Sequence, residues 1–159
     1  MSDAARAFIE SLPKKCMGAG CLFFDQDHRL LLVKPAYKST WEIPGGIVEQ
    51  DESPKAACQR EVGEELGLKR SIGRLLVVDY NYATAKKSES LMFIFDGGNL
   101  TQEEIDRIVL NPSELLDYAF FNPGDFPDEM SASLQKRVLA AWEQHSQPGA
   151  VYLENQRPG

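Results

Sequence analysis

The sequence predicts an α/β protein, an α/β/α sandwich built on a mixed central sheet. Short runs rich in aliphatic and aromatic residues recur along the chain, among them Arg29 to Lys34 (RLLLVK), Arg74 to Tyr82 (RLLVVDYNY) and Leu91 to Phe95 (LMFIF), and Gly, Asp, Asn and Pro bound them. One helix-forming stretch, Lys55 to Leu66, interrupts these strands, and a second, Met130 to His145, follows them. Helices placed within and after a set of strands cover a sheet on both faces. A chain of 159 residues suits one domain, 1–159, with a core over about 14–145, a short N-terminal helix and a C-terminal tail.

In order, Ala4 to Leu12 reads as a short amphipathic helix with Ala5, Phe8, Ile9 and Leu12 on one side. Pro13 ends it, and the helix is expected to pack on the sheet, with a mobile arm as the alternative. Lys15 to Phe24 is a strand containing Gly18 and Gly20, and glycines within a strand let another backbone or a ligand come close. Asp25 to His28 is a turn into the strand Arg29 to Lys34, so the pair is a hairpin. Pro35 to Thr40 is a polar loop, and Trp41 to Ile43 is a short strand with Trp41 in the core. Gly45-Gly46 and the acidic run Glu49, Asp51, Glu52 mark a loop. Ser53 and Pro54 then suit an N-cap and a first helical position, and Gly67 a C-cap.

Arg74 to Tyr82 and Leu91 to Phe95 are strands, with Asp96 to Asn99 a turn. Thr101 to Glu104 has the residues of a helix start. Tyr118 to Phe121 is the last core strand. Met130 to His145 turns Leu134, Val138, Ala141 and Trp142 inward, with Leu139 alongside. In the tail, Val151-Tyr152-Leu153 is apolar enough to dock.

A net charge of -7 argues against nonspecific binding to nucleic acid or an anionic membrane. It leaves small phosphorylated substrates open, because a bound cation reverses the local field. Cys16, Cys21 and Cys58 are odd in number, and with only His28 and His145 beside them a zinc site is not expected. They read as buried free thiols, which implies a reducing, cytoplasmic location. Asp3, Arg6 and Glu10 near the start, with no long apolar run, argue against a signal peptide or a membrane span.

The chemistry gathers in Gly46 to Leu68, GIVEQDESPKAACQREVGEELGL. On the helix, Cys58, Val62 and Leu66 form an apolar stripe at i, i+4 spacing, while Glu61, Glu64 and Glu65 share an adjacent face. Like charges so placed repel by a few tenths of a kcal/mol per pair, roughly. A hard divalent cation such as Mg²⁺ takes oxygen ligands and turns that repulsion into coordination. For a Glu-rich helix in general, a solvated acidic face is the default. Here the stretch matches GX5EX7REUXEEXGU, with U a bulky aliphatic residue, at Gly46, Glu52, Arg60, Glu61, Val62, Glu64, Glu65, Gly67 and Leu68. Chance agreement in a chain this long is below about one in a million at ordinary residue usage, so the default is set aside.

By that motif the sequence resembles the Nudix hydrolase family. Trp41-Glu42-Ile43-Pro44-Gly45 looks like the family's strand leading into the motif, and the resemblance covers roughly Lys14 to His145. It implies a Nudix-type α/β/α sandwich and a strand at Arg107 to Leu110. It also implies a divalent-metal-dependent pyrophosphohydrolase that splits a nucleoside diphosphate linked to another moiety by water attack on the phosphoanhydride. Glu61, Glu64 and Glu65 map onto the family's metal ligands for Mg²⁺, with Mn²⁺ the alternative, and Gly45 onto a position whose carbonyl completes the site. Arg60 is expected to point off the metal face and to hold Glu52 in a bidentate pair that pins the loop on the helix. The base is Glu61 in many members and a carboxylate on a later loop in others. Glu114 is the preferred later candidate, ahead of Asp117 and Glu89.

Tyr80, Tyr82 and Phe93 either stack a base or belong to the core, and Lys34, Lys38, Lys86 and Lys87 lie in loops that could edge a cleft. The expected partner is a small nucleoside diphosphate derivative, with no nucleic acid and no membrane, and the chain is a monomer or homodimer. A noncatalytic nucleotide-binding or sensor module on the same fold is the rival reading, but a pure binder has no need of all three acids. An isomerase would need a further protonating pair that the sequence does not display.

Overall fold

Glycines in the first strand decide how the sheet is assembled in the computed structural model, which describes residues 1–159. β1 (Cys16–Phe24) and β2 (Leu30–Pro35) start as the expected antiparallel hairpin, with Phe24 opposite Leu30 and His28 at φ 59° in the turn. Beyond that pair β3 (Gly45–Ile47) comes in beside β1, with Gly18, Ala19 and Gly20 opposite Ile47, Gly46 and Gly45. A Cβ on Gly20 would lie 2.8 Å from the Pro44 carbonyl oxygen, so the approach needs glycine. This corrects the loop expected at Gly45-Gly46: the two glycines are weak strand formers alone, yet they pair where the facing strand is also bare. The strand expected at Trp41 to Ile43 shrinks to a single bridge between Glu42 and Val33. Trp41 is buried as expected, edge-on to Phe121 with ring centroids 5.3 Å apart.

The full sheet has eight strands. β5 (Ser90–Asn99) runs parallel to β1, β4 (Leu75–Asn81) antiparallel to β5, and β6 (Leu115–Phe121) antiparallel to β2. β5 continues through the turn expected at Asp96 to Asn99, because Gly97 is accommodated as a bulge between the Leu22/Asp96 and Phe23/Gly98 pairs. A Cβ on Gly97 would stand 2.6 Å from the Phe23 ring.

α2 (Pro54–Leu66) covers one face and α4 (Ala132–His145) the other. Alternate residues of β1 divide between the two layers, as the two-residue period of a strand requires. Ala19, Cys21 and Phe23 pack with Ala57, Cys58, Val62 and Leu66, whereas Leu22 and Phe24 pack with Leu134, Val138 and Ala141. The α/β/α layering is the one expected.

Several local expectations change. α1 (Asp3–Ser11) buries none of its residues, and Phe8 is 64% exposed with Ile9 and Leu12 also open. Both sheet faces are already covered by α2 and α4, which leaves it no apolar surface there. Arg107 to Leu110 is not a strand. α3 (Gln102–Asp106) forms on a capping box between Thr101 and Glu104, and the segment after it serves the end of α2. The Val109 N–H donates to the Leu66 carbonyl at 3.1 Å and the Asn111 N–H to that of Glu65 at 3.4 Å, two carbonyls with no partner inside their helix. Cys16 is exposed, while Cys21 and Cys58 are buried, and all three are free. No helix is long and apolar enough to cross a membrane.

On α4, Trp142 is exposed and Arg137 is buried instead. The Arg137 Nε donates to Asp79 Oδ2 at 2.7 Å, and Asp79 lies fully inside. The tail docks as β7 (Val151–Glu154), parallel to β4, followed by β8 (Arg157–Pro158). Asn155 and Gln156 make the turn between them at φ 48° and 61°. Gln156 closes over the ion pair, giving Asp79 its backbone N–H at 3.0 Å and its side-chain amide at 2.9 Å. Replacing Asp79 by Ala strands a buried guanidinium, and the expected loss is about 3–5 kcal/mol, measured by urea unfolding. A loss below about 1 kcal/mol, the scale of a surface pair, would contradict a buried one.

Candidate active site

Local signals set the pitch of α2. Ser53 Oγ accepts the Ala56 N–H at 3.2 Å, Pro54 opens the helix, and Gly67 closes it at φ 67°. The apolar stripe on the sheet then fixes the rotation, and the acidic face falls against β3. Glu65 is only 8% exposed, and its Oε2 accepts the Gly45 N–H at 3.0 Å. Burial pushes its carboxyl up to about 8, with the charges of Glu61, Glu114 and Glu64 acting the same way and the Gly45 hydrogen bond opposing them. Glu61 lies directly on Gly46, where a Cβ would run into its carboxylate. Its carboxyl is also raised, by burial first, against the pull of Arg60. Glu64 has a side chain 49% exposed. Gly45 itself has φ 146°, and a Cβ there would collide with the Ala19 carbonyl.

Arg60 makes the expected bidentate pair with Glu52: Nε to Oε1 at 2.9 Å and Nη2 to Oε2 at 3.0 Å. That pair holds the Glu52 carboxyl below its usual range. Nη2 also donates to the Ile47 carbonyl at 3.1 Å, and Glu52 Oε2 accepts the Glu49 N–H at 3.1 Å, so the clamp does pin the loop. Arg60 does not point off the acidic face, however. Nη1 donates to Glu61 Oε1 at 2.9 Å and Glu64 Oε2 at 3.1 Å. Five donors in one planar fork are enough to serve three carboxylates. The i, i+4 spacing of Arg60 and Glu64 was the available signal for this contact.

Of the later acids, Glu114 is brought in. It stands half-buried in the turn just before β6, its carbonyl accepts the Ala36 N–H at 2.8 Å, and its charge raises the carboxyls of both Glu61 and Glu65. Asp117 is exposed and accepts the Tyr118 N–H at 2.8 Å. Glu89 is held by Lys15 and the Tyr80 hydroxyl. Tyr80 and Tyr82 pack edge-on at 4.9 Å, the Tyr82 hydroxyl donates to Glu154 at 2.7 Å, and Phe93 joins the core beneath α2. Lys34 sits over the Trp41 ring, Lys38 pairs with Glu42 at 2.9 Å, and Lys86 and Lys87 are exposed in a loop. The motif includes Gly46 without giving it a role; its missing side chain makes the room that Glu61 occupies.

No three acidic, histidine or cysteine side chains already converge as a finished cation cage. The donors nevertheless suit a hard divalent ion. Carboxylate oxygens of Glu61, Glu64 and Glu65 share one helix face, and two glycines keep β3 clear of them.

A family model described as NUDIX domain matches residues 14–142. Diphosphoinositol polyphosphate phosphohydrolase 2 of Rattus norvegicus is 46% identical over 66 residues, which is 40% of this chain and 37% of that relative. The chain spans about a third to just over half the length of the curated relatives it matches. A MutT protein from Methanosarcina mazei has a similar structure, with TM-score 0.71 and 21% identity over 86% of this chain and all of that one. So does the NUDIX domain of Shewanella oneidensis NrtR, solved in complex with ADP ribose, with TM-score 0.69 and 16% identity over 92% of this chain and all of that one.

Gly46→Ala tests the cradle. The added methyl displaces the Glu61 carboxylate while leaving the two core layers untouched. A misplacement of about 1 Å is expected to lower the turnover of any reaction at this face on the order of 10²-fold with the melting temperature nearly unchanged. Wild-type turnover in this variant would show that the position of Glu61 is immaterial.

Proposed function

The chain belongs to the NUDIX family, and from that premise we propose that it works as a single domain, a divalent-metal-dependent pyrophosphohydrolase in which water attacks a phosphoanhydride of a nucleoside diphosphate linked to another moiety. The observation that carries the reading is the Glu65 carboxyl. It lies buried in a row of acids with its pKa pushed up to about 8, and a cation at that point is what would hold it ionised. Glu61, Glu64, Glu65 and the Gly45 carbonyl would hold Mg²⁺, or Mn²⁺ in its place. When bound, the ion supplies neutralisation of the phosphoanhydride charge and a lowered pKa for coordinated water.

The side chains divide the remaining work. Glu61 or Glu114 takes the proton of the attacking water; Glu61 is the one already on the acidic face, and Glu114 approaches it from the β6 side. Glu52 acts through Arg60 to keep the loop on the helix, a positioning role. Substrate class follows from charge. Lys34 and Lys38 are already engaged, by Trp41 and Glu42, and the protein is acidic overall. That favours a substrate with one pyrophosphate and a neutral remainder over a densely phosphorylated ring. The two buried free thiols suit a reducing cytoplasm.

Chelation is expected to abolish hydrolysis and Mg²⁺ to restore it. Glu65→Gln should lower turnover on the order of 10²–10³-fold, the usual effect of losing one electrostatic stabiliser. Its fold should survive, because Gln keeps an oxygen for the Gly45 N–H and resembles the neutral acid that burial favours. Glu52→Gln should cost about 10–100-fold, as supporting residues do. Turnover, Mg²⁺ dependence and melting temperature decide this. Full activity in excess chelator, or an unimpaired Glu65→Gln, overturns the assignment.

A further inference from the structure

We propose that Arg60 is a resident counter-charge which a divalent cation must displace, so that cation binding at Glu61 and Glu64 is an exchange rather than an addition. The inference rests on the metal-binding reading of the acidic face. Its ground is the division of labour within one guanidinium. Nε and Nη2 are committed to Glu52 and to the Ile47 carbonyl, which belong to the loop. Nη1 alone serves the acidic face, 2.9 Å from Glu61 Oε1 and 3.1 Å from Glu64 Oε2.

A cation held by those two carboxylates would compete with Nη1 for the same concentrated negative charge. It would also sit beside a fixed positive charge, which Arg retains at any working pH. The loop half of the fork anchors the side chain, so Nη1 withdraws without the residue leaving. Glu64 is half exposed and takes no other hydrogen bond, so it is free to swing toward a cation.

Two consequences separate this role from simple bracing. With Arg60 present, Glu61 and Glu64 do not face each other unneutralised, so the chelated protein is expected to stay folded. The same neutralisation lowers affinity for the ion, since part of the attraction is spent evicting Nη1. A purely structural Arg60 predicts the reverse for its removal: a loosened loop and weaker cation binding.

Calorimetric titration of the full chain with Mg²⁺ tests the two. Arg60→Gln is expected to bind Mg²⁺ about tenfold more tightly than wild type. It should melt lower in chelator and show a larger rise in melting temperature on adding Mg²⁺. Glu52→Gln is expected to bind more weakly, because Arg60 loses the charged part of its loop anchor and turns further toward Glu61 and Glu64. Should Arg60→Gln fail to fold, wild-type protein carrying ¹⁵N-labelled arginine decides. The Arg60 Nη signals should shift or broaden during the Mg²⁺ titration while its Nε signal stays in place. Weaker Mg²⁺ binding in a folded Arg60→Gln, or Nη signals unmoved at saturating Mg²⁺, overturns the exchange and leaves the metal site standing. Wild type with neither saturable Mg²⁺ binding nor a melting shift overturns both.

Discussion

Everything in the site depends on two stretches of backbone meeting without side chains between them. Gly18 and Gly20 on β1 face Ile47 and Gly45 on β3, and Gly46 lies opposite Ala19. That contact draws the chain before α2 down onto the sheet, and α2 follows, since only a short loop joins them. Gly45 can then hand its N–H to Glu65, and Gly46 leaves space for Glu61. A methyl group on Gly20 or Gly45 would push β3 off β1, and one on Gly46 would push a carboxylate off β3. The acids owe their positions to what is missing opposite them as much as to their own helix.

Electrostatics works in the same place with opposite tendencies. Burial drives Glu65 and Glu61 toward their neutral forms, and each neighbouring carboxylate adds to that. Arg60 resists it for Glu61 through a direct hydrogen bond, but it makes no bond to Glu65. Within one helical turn there is therefore a gradient, from an exposed acid at Glu64 to a buried one at Glu65 whose pKa burial has raised. A doubly charged ion acts on the buried end of that gradient most strongly, because low polarity magnifies its field.

What was legible beforehand was whatever is decided locally. Ser53-Pro54 and Gly67 mark the ends of α2 by cap chemistry, and the apolar stripe marks its inner face, so the three acids could be assigned to one side from spacing alone. β3 was not legible, because its partner lies more than twenty residues earlier and Gly-Gly reads as a loop until that partner is known. Arg107 to Leu110 failed for a related reason: its backbone is used to finish α2, with Val109 reaching back to Leu66 across more than forty residues of chain. The burial of Arg137 follows from Asp79 lying under α4, which no helical periodicity on α4 could announce. The sense of Arg60 was half legible. Its pairing with Glu52 came with the motif, whereas its reach to Glu64 was present in the spacing and went unread.

The Gln156 turn sets an order on events during synthesis. Asp79 and Arg137 can meet as soon as α4 exists, but the amide that closes over them belongs to a turn made nearly twenty residues later. β7 lies parallel to β4, so its docking waits until the chain has run back along the whole sheet. A nascent chain stalled before residue 151 would hold both helices on their faces and yet keep a charged pair open to water at the β4 edge. Docking of β7 and its turn, rather than collapse of the core, is then the step that closes this pair away from water.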